Sequence, residues 1–469
     1  NGFIETTRGR VGIQTISLEE ESAGIVEQRA GETVYRLDRQ GIPLVEVATD
    51  ASLQDGEHAR ETAEAIGLVL RNTGRMQRGI GSIRQDLNVS IAQGARVEIK
   101  GVQELKNIPK IIENEVARQV SLLELRKLLT RKPASQEQKI VNVTKLFEKT
   151  ENKMLKQIII QGGVVLATRL QALDGLLKRE LAPGKTLGSE IADYARAASG
   201  LRGLIHSDED PAKYALSREY ALLSQATACA AGDAWAVTAG GKHSVELALN
   251  AAASRARLLR ERVLEETRRA EGEVSVFMRP LPGAARMYPE TDASPARVDK
   301  KNFESIKIVS VADERKRLLE MGLNFELAER MLSSQQKQLF EKLVASTRNG
   351  GKHAGFIAFT LLETLVALKR EGFETRALGE KVLKSIFDSF ASGEIVRAGV
   401  PELLKTLCGN PEAGVGKAVA EGGLHRVSGK ELEALAAGFR GKQNAFELVM
   451  RGHRLRVDAD ELKKILEKK

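Results

Sequence analysis

The segment SLEEESAGIV, Ser17–Val26, sets Glu19, Glu20 and Glu21 side by side at the end of an apolar-rich stretch, in a chain whose formal net charge is +9. Read at the strand period, VGIQTISLEEE puts Ile16, Leu18 and Glu20 on one face and Ser17 and Glu19 on the other, so Glu20 ends an apolar row. In GIPLVEVATD, Pro43, Val45 and Val47 share one face, while Ile42, Leu44, Glu46 and Ala48 share the other. That pattern reads as a strand apolar on both faces with one carboxylate in it. A buried carboxylate is costly unless it is paired, protonated or bound to a cation, so Glu46 needs a partner: an arginine such as Arg36 or Arg39, or a metal. In RQDLNVS, Arg84, Asp86, Asn88 and Ser90 line one face opposite Ile83, Leu87, Val89 and Ile91, either as a solvated sheet face or as a row of oxygen ligands. Carboxylates and amides are hard ligands that suit Mg²⁺ carrying a nucleotide and not zinc or iron. A phosphoryl-transfer site uses such a cation to neutralise charge on the moving group.

Other chemistries find less support. APGKTLGSE around Lys185 resembles part of a phosphate-binding loop, but Arg179 stands where the first glycine of that motif belongs. The histidines are scattered; only His206, in GLIHSDED, ends an apolar run, and it reads as a structural histidine. Cys229 and Cys408 show no zinc or disulfide spacing and read as buried thiols of a reducing, cytoplasmic protein. The apolar stretch GFIAFTLLETLVALKR is interrupted by Glu363 and reads as too short for a bilayer span, so no membrane partner is expected. The basic balance points to a polyanion. With aromatics at 4% of the chain, a folded RNA backbone fits better than a stacking platform for single strands.

The elements that must position these residues predict an α+β protein. Residues 1–105 alternate at the strand period around one helix, LQDGEHARETAEAIGLVLRNTG, and a long helix follows from Gln103. Residues 151–265 have a Gly- and Ala-rich texture and read as a separate α+β module. The proline-rich MRPLPGAARMYPETDASPARV cannot hold regular structure for long. Beyond about Ser305 the pattern is helical to the end. In FELVMRGHRLRVDADELKKIL, Arg451, Arg454 and Arg456 cluster before a helix that Asp458 or Asp460 caps. Such arginines either face water or hold phosphates.

Taken in order, ISLEEESAGIV, YRLDRQGIPLVEVATD, GSIRQDLNVSI, RVEIKGVQELKNIPKIIENEVARQ and MRPLPGAARMYPETD resemble the GatB/GatE family, in the form found in the archaeal tRNA-dependent glutamate amidotransferases. LGSEIADYARAASGLRGLIHSDED is similar to the GAD module that this family shares with bacterial aspartyl-tRNA synthetases, and the carboxyl-terminal segment to the family's helical tail. The resemblance implies a mixed, antiparallel-rich cradle over residues 1–150 and 266–305, a GAD module inserted at 151–265, a helical domain at 306–385 and a tRNA-binding tail at 386–469. It implies ATP and Mg²⁺ as cofactors, with Glu20 and Glu46 as metal ligands, Asp86 at an acidic catalytic position near the same site and Glu19 supporting the cluster. It also implies Glu-tRNA(Gln) as substrate, Arg451, Arg454 and Arg456 on the tRNA, and an asparaginase-like GatD partner in a heterotetramer. The family's cradle opens with a Gly-Leu-Glu-(Ile/Val)-His stretch whose histidine completes the magnesium site. With no counterpart to it in this sequence, an incomplete site without Mg²⁺-dependent ATPase activity is expected. The competing reading is a noncatalytic tRNA-binding protein or fragment. An aspartyl-tRNA synthetase fragment would rest on the GAD module alone.

Overall fold

The computed structural model describes residues 2–29, 32–74, 76–77, 81–130, 139–281 and 309–467. It is 50% helical and 20% strand, with the strands in the first part and helices alone in the carboxyl-terminal region, as an α+β protein requires. Most of MRPLPGAARMYPETDASPARV lies outside the described residues. The chain divides into two compact units, Asn1–Gly67 with Gly79–Val298, and Leu68–Arg78 with Asp299–Lys469.

In the first unit, β1 (Gly2–Thr6), β2 (Gly9–Glu20) and β5 (Pro43–Thr49) form an antiparallel sheet in the order β1-β2-β5, while β3 (Gly24–Arg29) and β4 (Glu32–Arg36) pair as a separate hairpin. After α1 (Gly56–Asn72) come β6 (Gln85–Val89) and β7 (Val97–Val102), then α2 (Ile108–Leu129). Val89, Val97, Ile99 and Val102 face Ile108 and Ile111 of α2 and Ala59 of α1, the alternation of a sheet with one covered face. The other end of α2 sends Leu122, Leu125 and Leu129 into a second core.

That second core belongs to a sheet ordered β12-β13-β9-β8. It follows from β8 (Ile140–Asn142), α3 (Lys153–Ile160), β9 (Val164–Leu170), the hairpin β10 (Glu180–Ala182) and β11 (Lys185–Thr186), α4 (Leu187–Ser199), β12 (Ile205–His206), α5 (Ser217–Ala226), β13 (Ala234–Gly240) and α6 (Lys242–Leu258). Leu166, Leu170, Ala234 and Ala236 turn towards α4 and α6, and Val165, Ala167, Trp235 and Val237 pack in a core with residues of α3 and α5. The GKTLGS stretch is a helix start: Thr186 Oγ1 accepts from the Ser189 amide at 3.2 Å and Ser189 Oγ from the Thr186 amide at 2.9 Å. This capping box consumes the amides that a phosphate loop would offer. Gly188 is required there because a Cβ would lie 2.2 Å from His206 Nε2.

His206 is 5% exposed, and burial pushes its imidazole below the ordinary value of 6.5 against the pull of Glu209 and Asp208. Below pH 6.5 the unfolded chain therefore binds a proton that the native one refuses. Stability is level above that pH and falls as pH drops through it. The urea midpoint should fall less between pH 7.5 and 5.5 in His206→Gln than in the parent; an equal fall would place the titration elsewhere.

The chain then returns to the sheet of β6 and β7. β14 (Glu266–Glu271) lies parallel to β7, and β15 (Val274–Pro280) pairs antiparallel with β14, giving the order β15-β14-β7-β6. At the seam, six charges are buried: Glu115 and Arg118 of α2, Glu190 of α4, Arg255 of α6, and Glu266 and Arg268 of β14. Arg118 reaches Glu115 and Glu190 at 2.8 Å each, and Arg268 reaches Glu190 at 3.0 Å and Glu266 at 2.5 Å. Ser275 Oγ takes a bond from Arg268 Nε at 2.7 Å and donates to Glu115 at 2.9 Å. The cluster is neutral overall, the condition under which buried ions are tolerated.

The second unit is helical. Phe340, Ile357, Leu361, Ile386, Phe387 and Leu403 centre one core, and Val427, Leu432, Val449, Val457 and Leu462 a smaller one. The cores part between Leu424 and Val427, and helices Val400–Gly409 and Val415–Glu421 pack with the first. The apolar stretch around Glu363 belongs to a 21-residue helix, Gly350–Arg370, longer than expected and long enough by length and composition to cross a bilayer. Its Ala354, Ile357, Ala358, Leu361, Leu362 and Leu368 are buried in the first core, and Glu363 pairs with Arg330. Cys408 is buried, and Cys229 only half-buried; both are free.

Candidate active site

Glu20 is the last residue of β2 and Glu46 lies in the middle of β5; both are exposed. The expectation of a carboxylate buried in a doubly apolar strand is corrected. β5 is the edge of a three-stranded sheet on which Ile16, Leu18 and Val45 are 69%, 47% and 50% exposed. Alternation says which residues share a face, not whether anything covers that face. The arginines weighed as partners of Glu46 are engaged elsewhere: Arg36 with Asp38 at 2.8 Å and Arg39 with Glu21 at 3.4 Å.

Register also decides which carboxylates meet. Ser17 stands opposite Glu46, Glu19 opposite Leu44 and Glu20 opposite Pro43. Glu46 therefore shares its face with Glu19, diagonally across the pair, while Glu20 lies on the other face with Leu18 and Val45. Among the described residues no group of three or more His, Cys, Asp or Glu could hold a metal ion. An exposed face carrying one or two carboxylates still fits Mg²⁺ bound together with nucleotide phosphates, because that ion keeps several waters and takes few protein ligands.

Asp86 projects from the polar row of β6, which is solvent-exposed as read: Arg84, Asp86, Asn88 and Ser90 are all exposed. It sits at a bulge between Gln85 and Leu87. Lys100 Nζ lies 2.7 Å from Asp86 and 2.9 Å from Glu98, and Thr267 Oγ1 donates to Glu98 at 3.0 Å. Burial opposes the charge on Lys100, but the bonds to Asp86 and Glu98 outweigh it and raise its pKa. Sequence reasoning missed Lys100, Glu98 and above all Glu21. The bond from Arg84, helped by Arg39 against the cost of burial, holds the Glu21 carboxyl below its ordinary value. Its signal is present in the arginines of RLDRQG and SIRQD, of which Arg39 is weighed above as a partner of Glu46 and Arg84 is read as one of a polar row.

In the tail, Arg451 and Arg454 are exposed. Arg456 is tied into the fold: its Nε donates to the His425 carbonyl at 3.1 Å and Nη2 lies 3.8 Å from Glu431. Asp458 Oδ1 accepts from the amides of Asp460 and Glu461 at 3.1 and 3.0 Å, the helix cap that the sequence suggested.

Residues 1–304, which contain Glu19, Glu20, Glu21, Glu46 and Asp86, match the GatB/GatE catalytic domain. The chain belongs to the GatB/GatE family. The E subunit of the glutamyl-tRNA(Gln) amidotransferase of Methanosarcina barkeri is 41% identical to this GatB/GatE chain over 438 residues, 92% of this chain and 69% of that protein. Its counterpart in Methanocaldococcus jannaschii is 39% identical over 445 residues, covering 93% and 70%. The counterpart in Archaeoglobus fulgidus is 41% identical over 417 residues, covering 89% and 66%. The similarity to these GatB/GatE relatives thus extends beyond the catalytic domain into the helical unit.

Proposed function

We propose that this chain is the component of a glutamyl-tRNA(Gln) amidotransferase that converts Glu-tRNA(Gln) to Gln-tRNA(Gln) for translation. The observation that carries the reading is the continuous identity of about 40% with its archaeal amidotransferase relatives over 92% of the chain. In the chemistry proposed, a glutamyl carboxylate oxygen attacks the γ-phosphorus of ATP, releasing ADP and leaving an acyl phosphate. Ammonia then attacks the carbonyl carbon, phosphate departs, and a proton is lost to give the amide. Mg²⁺ would neutralise charge on the phosphates. Glu46 would hold it with Glu19 on the shared face or with Glu20 from the strand end, and Asp86 with Lys100 would border the same site. The ammonia would come from an asparaginase-like GatD partner in a cytoplasmic heterotetramer. The layout proposed with it is a cradle at 1–150 and 266–305, a GAD module between, and helical domains to the end. The test is conversion of Glu-tRNA(Gln) by the chain extended with a family segment bearing the Gly-Leu-Glu-(Ile/Val)-His stretch, together with its amidase partner, ATP, Mg²⁺ and glutamine; formation of Gln-tRNA(Gln) supports the reading and its absence defeats it.

One observation favours a second reading, a noncatalytic tRNA-binding protein: the register puts Glu20 and Glu46 on opposite faces. It predicts tRNA binding without ATP hydrolysis.

Both readings place tRNA phosphates on the tail. Arg451→Ala with Arg454→Ala should weaken binding to many tRNAs alike and flatten the log–log salt dependence by roughly 0.7–0.9 per lost phosphate contact. Arginine's planar fork suits phosphate without reading sequence. Arg456→Ala should instead lower stability, since its guanidinium already bonds the His425 carbonyl. A filter-binding titration with unchanged slope for the double variant would show that these arginines only face water.

A further inference from the structure

The geometry points to Glu21 as a positioning residue, a joint that holds the strands bearing the candidate carboxylates in one arrangement. The inference rests on the proposed amidotransferase reading for its functional meaning. Glu21 follows Glu20 directly, and its side chain is only 14% exposed, just beyond a sheet end on which Ile16, Leu18 and Val45 are exposed. Its amide donates to the Ile42 carbonyl at 2.8 Å, and its carbonyl accepts from the Gly41 amide at 2.9 Å. Those bonds fasten the end of β2 to the turn that begins β5. Its carboxylate is gripped through both oxygens by Arg84, with Nη1 to Oε1 at 3.0 Å and Nη2 on Oε2, and Arg39 Nη2 adds a contact at 3.4 Å.

Arg84 stands two residues before Asp86, immediately before β6 of the four-stranded sheet. One carboxylate therefore connects Glu20 through the chain, Glu46 through the turn into β5, and Asp86 through Arg84. The other end of the three-stranded sheet is fastened separately, with the Thr7 amide and hydroxyl on Glu61 at 2.6 and 2.8 Å and Arg8 on Asp55. Without Glu21 the carboxylate end would be free to swing about that second fastening. The fork of an arginine on a carboxylate fixes distance and plane together, whereas a lysine supplies a point charge. A displacement of about 1 Å in such a site costs on the order of 100-fold in rate.

The experiment pairs turnover with hydrogen exchange on the chain extended with the Gly-Leu-Glu-(Ile/Val)-His segment and assembled with its amidase partner. Glu21→Gln should lower kcat for Gln-tRNA(Gln) formation by about 10- to 100-fold, with KM for Glu-tRNA(Gln) within about twofold of the parent and the unfolding midpoint little changed. Arg84→Gln should do the same, the double variant should be no worse than either single one, and Arg84→Lys should recover part of the rate. Independently of activity, amide protection should drop together around residues 20–22, 41–43 and 84–86 in Glu21→Gln and stay level in β9 and β13. Unaltered protection in those three segments overturns the joint. Additive losses, or lost protection with parental kcat, overturn its positioning role. A parent that binds tRNA but never forms Gln-tRNA(Gln) defeats the amidotransferase reading instead, and the exchange result then decides the joint alone.

Discussion

Arg268→Ala is expected to lower the stability of the first unit by about 3–5 kcal/mol, enough to make it marginal. The guanidinium of Arg268 is buried and donates to Glu266, Glu190, Ser275 Oγ and the Ser275 carbonyl. Its removal leaves three buried carboxylates, Glu115, Glu190 and Glu266, facing only Arg118 and Arg255, so one negative charge has no counter-charge. Most of the loss is the cost of that stranded charge, not the worth of the bonds. The double variant Arg268→Met/Glu190→Gln keeps the cluster neutral and should regain much of the stability. Urea unfolding followed by fluorescence of Trp235, the chain's one tryptophan, reads the first unit directly, since Trp235 is buried in β13. A loss below about 1 kcal/mol, the range of an exposed pair, would mean that water reaches the cluster.

The second large effect is on chemistry. In the chain extended with the Gly-Leu-Glu-(Ile/Val)-His segment, Glu46→Gln should reduce ATP-dependent formation of Gln-tRNA(Gln) by at least about 100-fold, about 2.7 kcal/mol in the barrier. A carboxamide keeps the shape and loses the charge that a phosphate-bound Mg²⁺ needs. Because Glu46 is exposed on an edge strand, the substitution should leave the unfolding midpoint within about 0.5 kcal/mol of the parent. Glu19→Gln should fall with it if the shared face is the working one, and Glu20→Gln if the strand end is. Full turnover in Glu46→Gln would remove Glu46 from the site.

Strand alternation in β2, β5 and β6, the polar row around Asp86, the cap at Asp458 and the helical second half were all legible in the sequence, because each is set within a few residues by periodicity or by one side chain. The pairing of Ser17 with Glu46 was not, since register is decided between strands. Nor was the bareness of Ile16, Leu18 and Val45, which depends on what stands above the sheet. Nothing in the sequence sets Glu115, Arg118, Glu190 and Arg268 apart from surface charges, because their partners come from α2, α4 and β14, far apart in sequence. Glu21 was passed over for the same reason: its two arginines lie in different turns.

The parallel placement of β14 beside β7 sets an order of events during synthesis. Val102 and Glu266 are separated by 266 − 102 = 164 residues, so β7 must wait for its second neighbour while the whole intervening module is made. At about 5–20 residues per second that wait lasts roughly 8–33 s on the ribosome. During it, β7 is an open edge rich in valine and isoleucine, the kind of strand that pairs with the wrong chain. The seam lacks both Glu266 and Arg268 until β14 emerges, so the nascent protein holds an open edge and an unfinished charge network at the same time. A helper that shields β7, or a module that folds quickly on its own, would shorten that exposure.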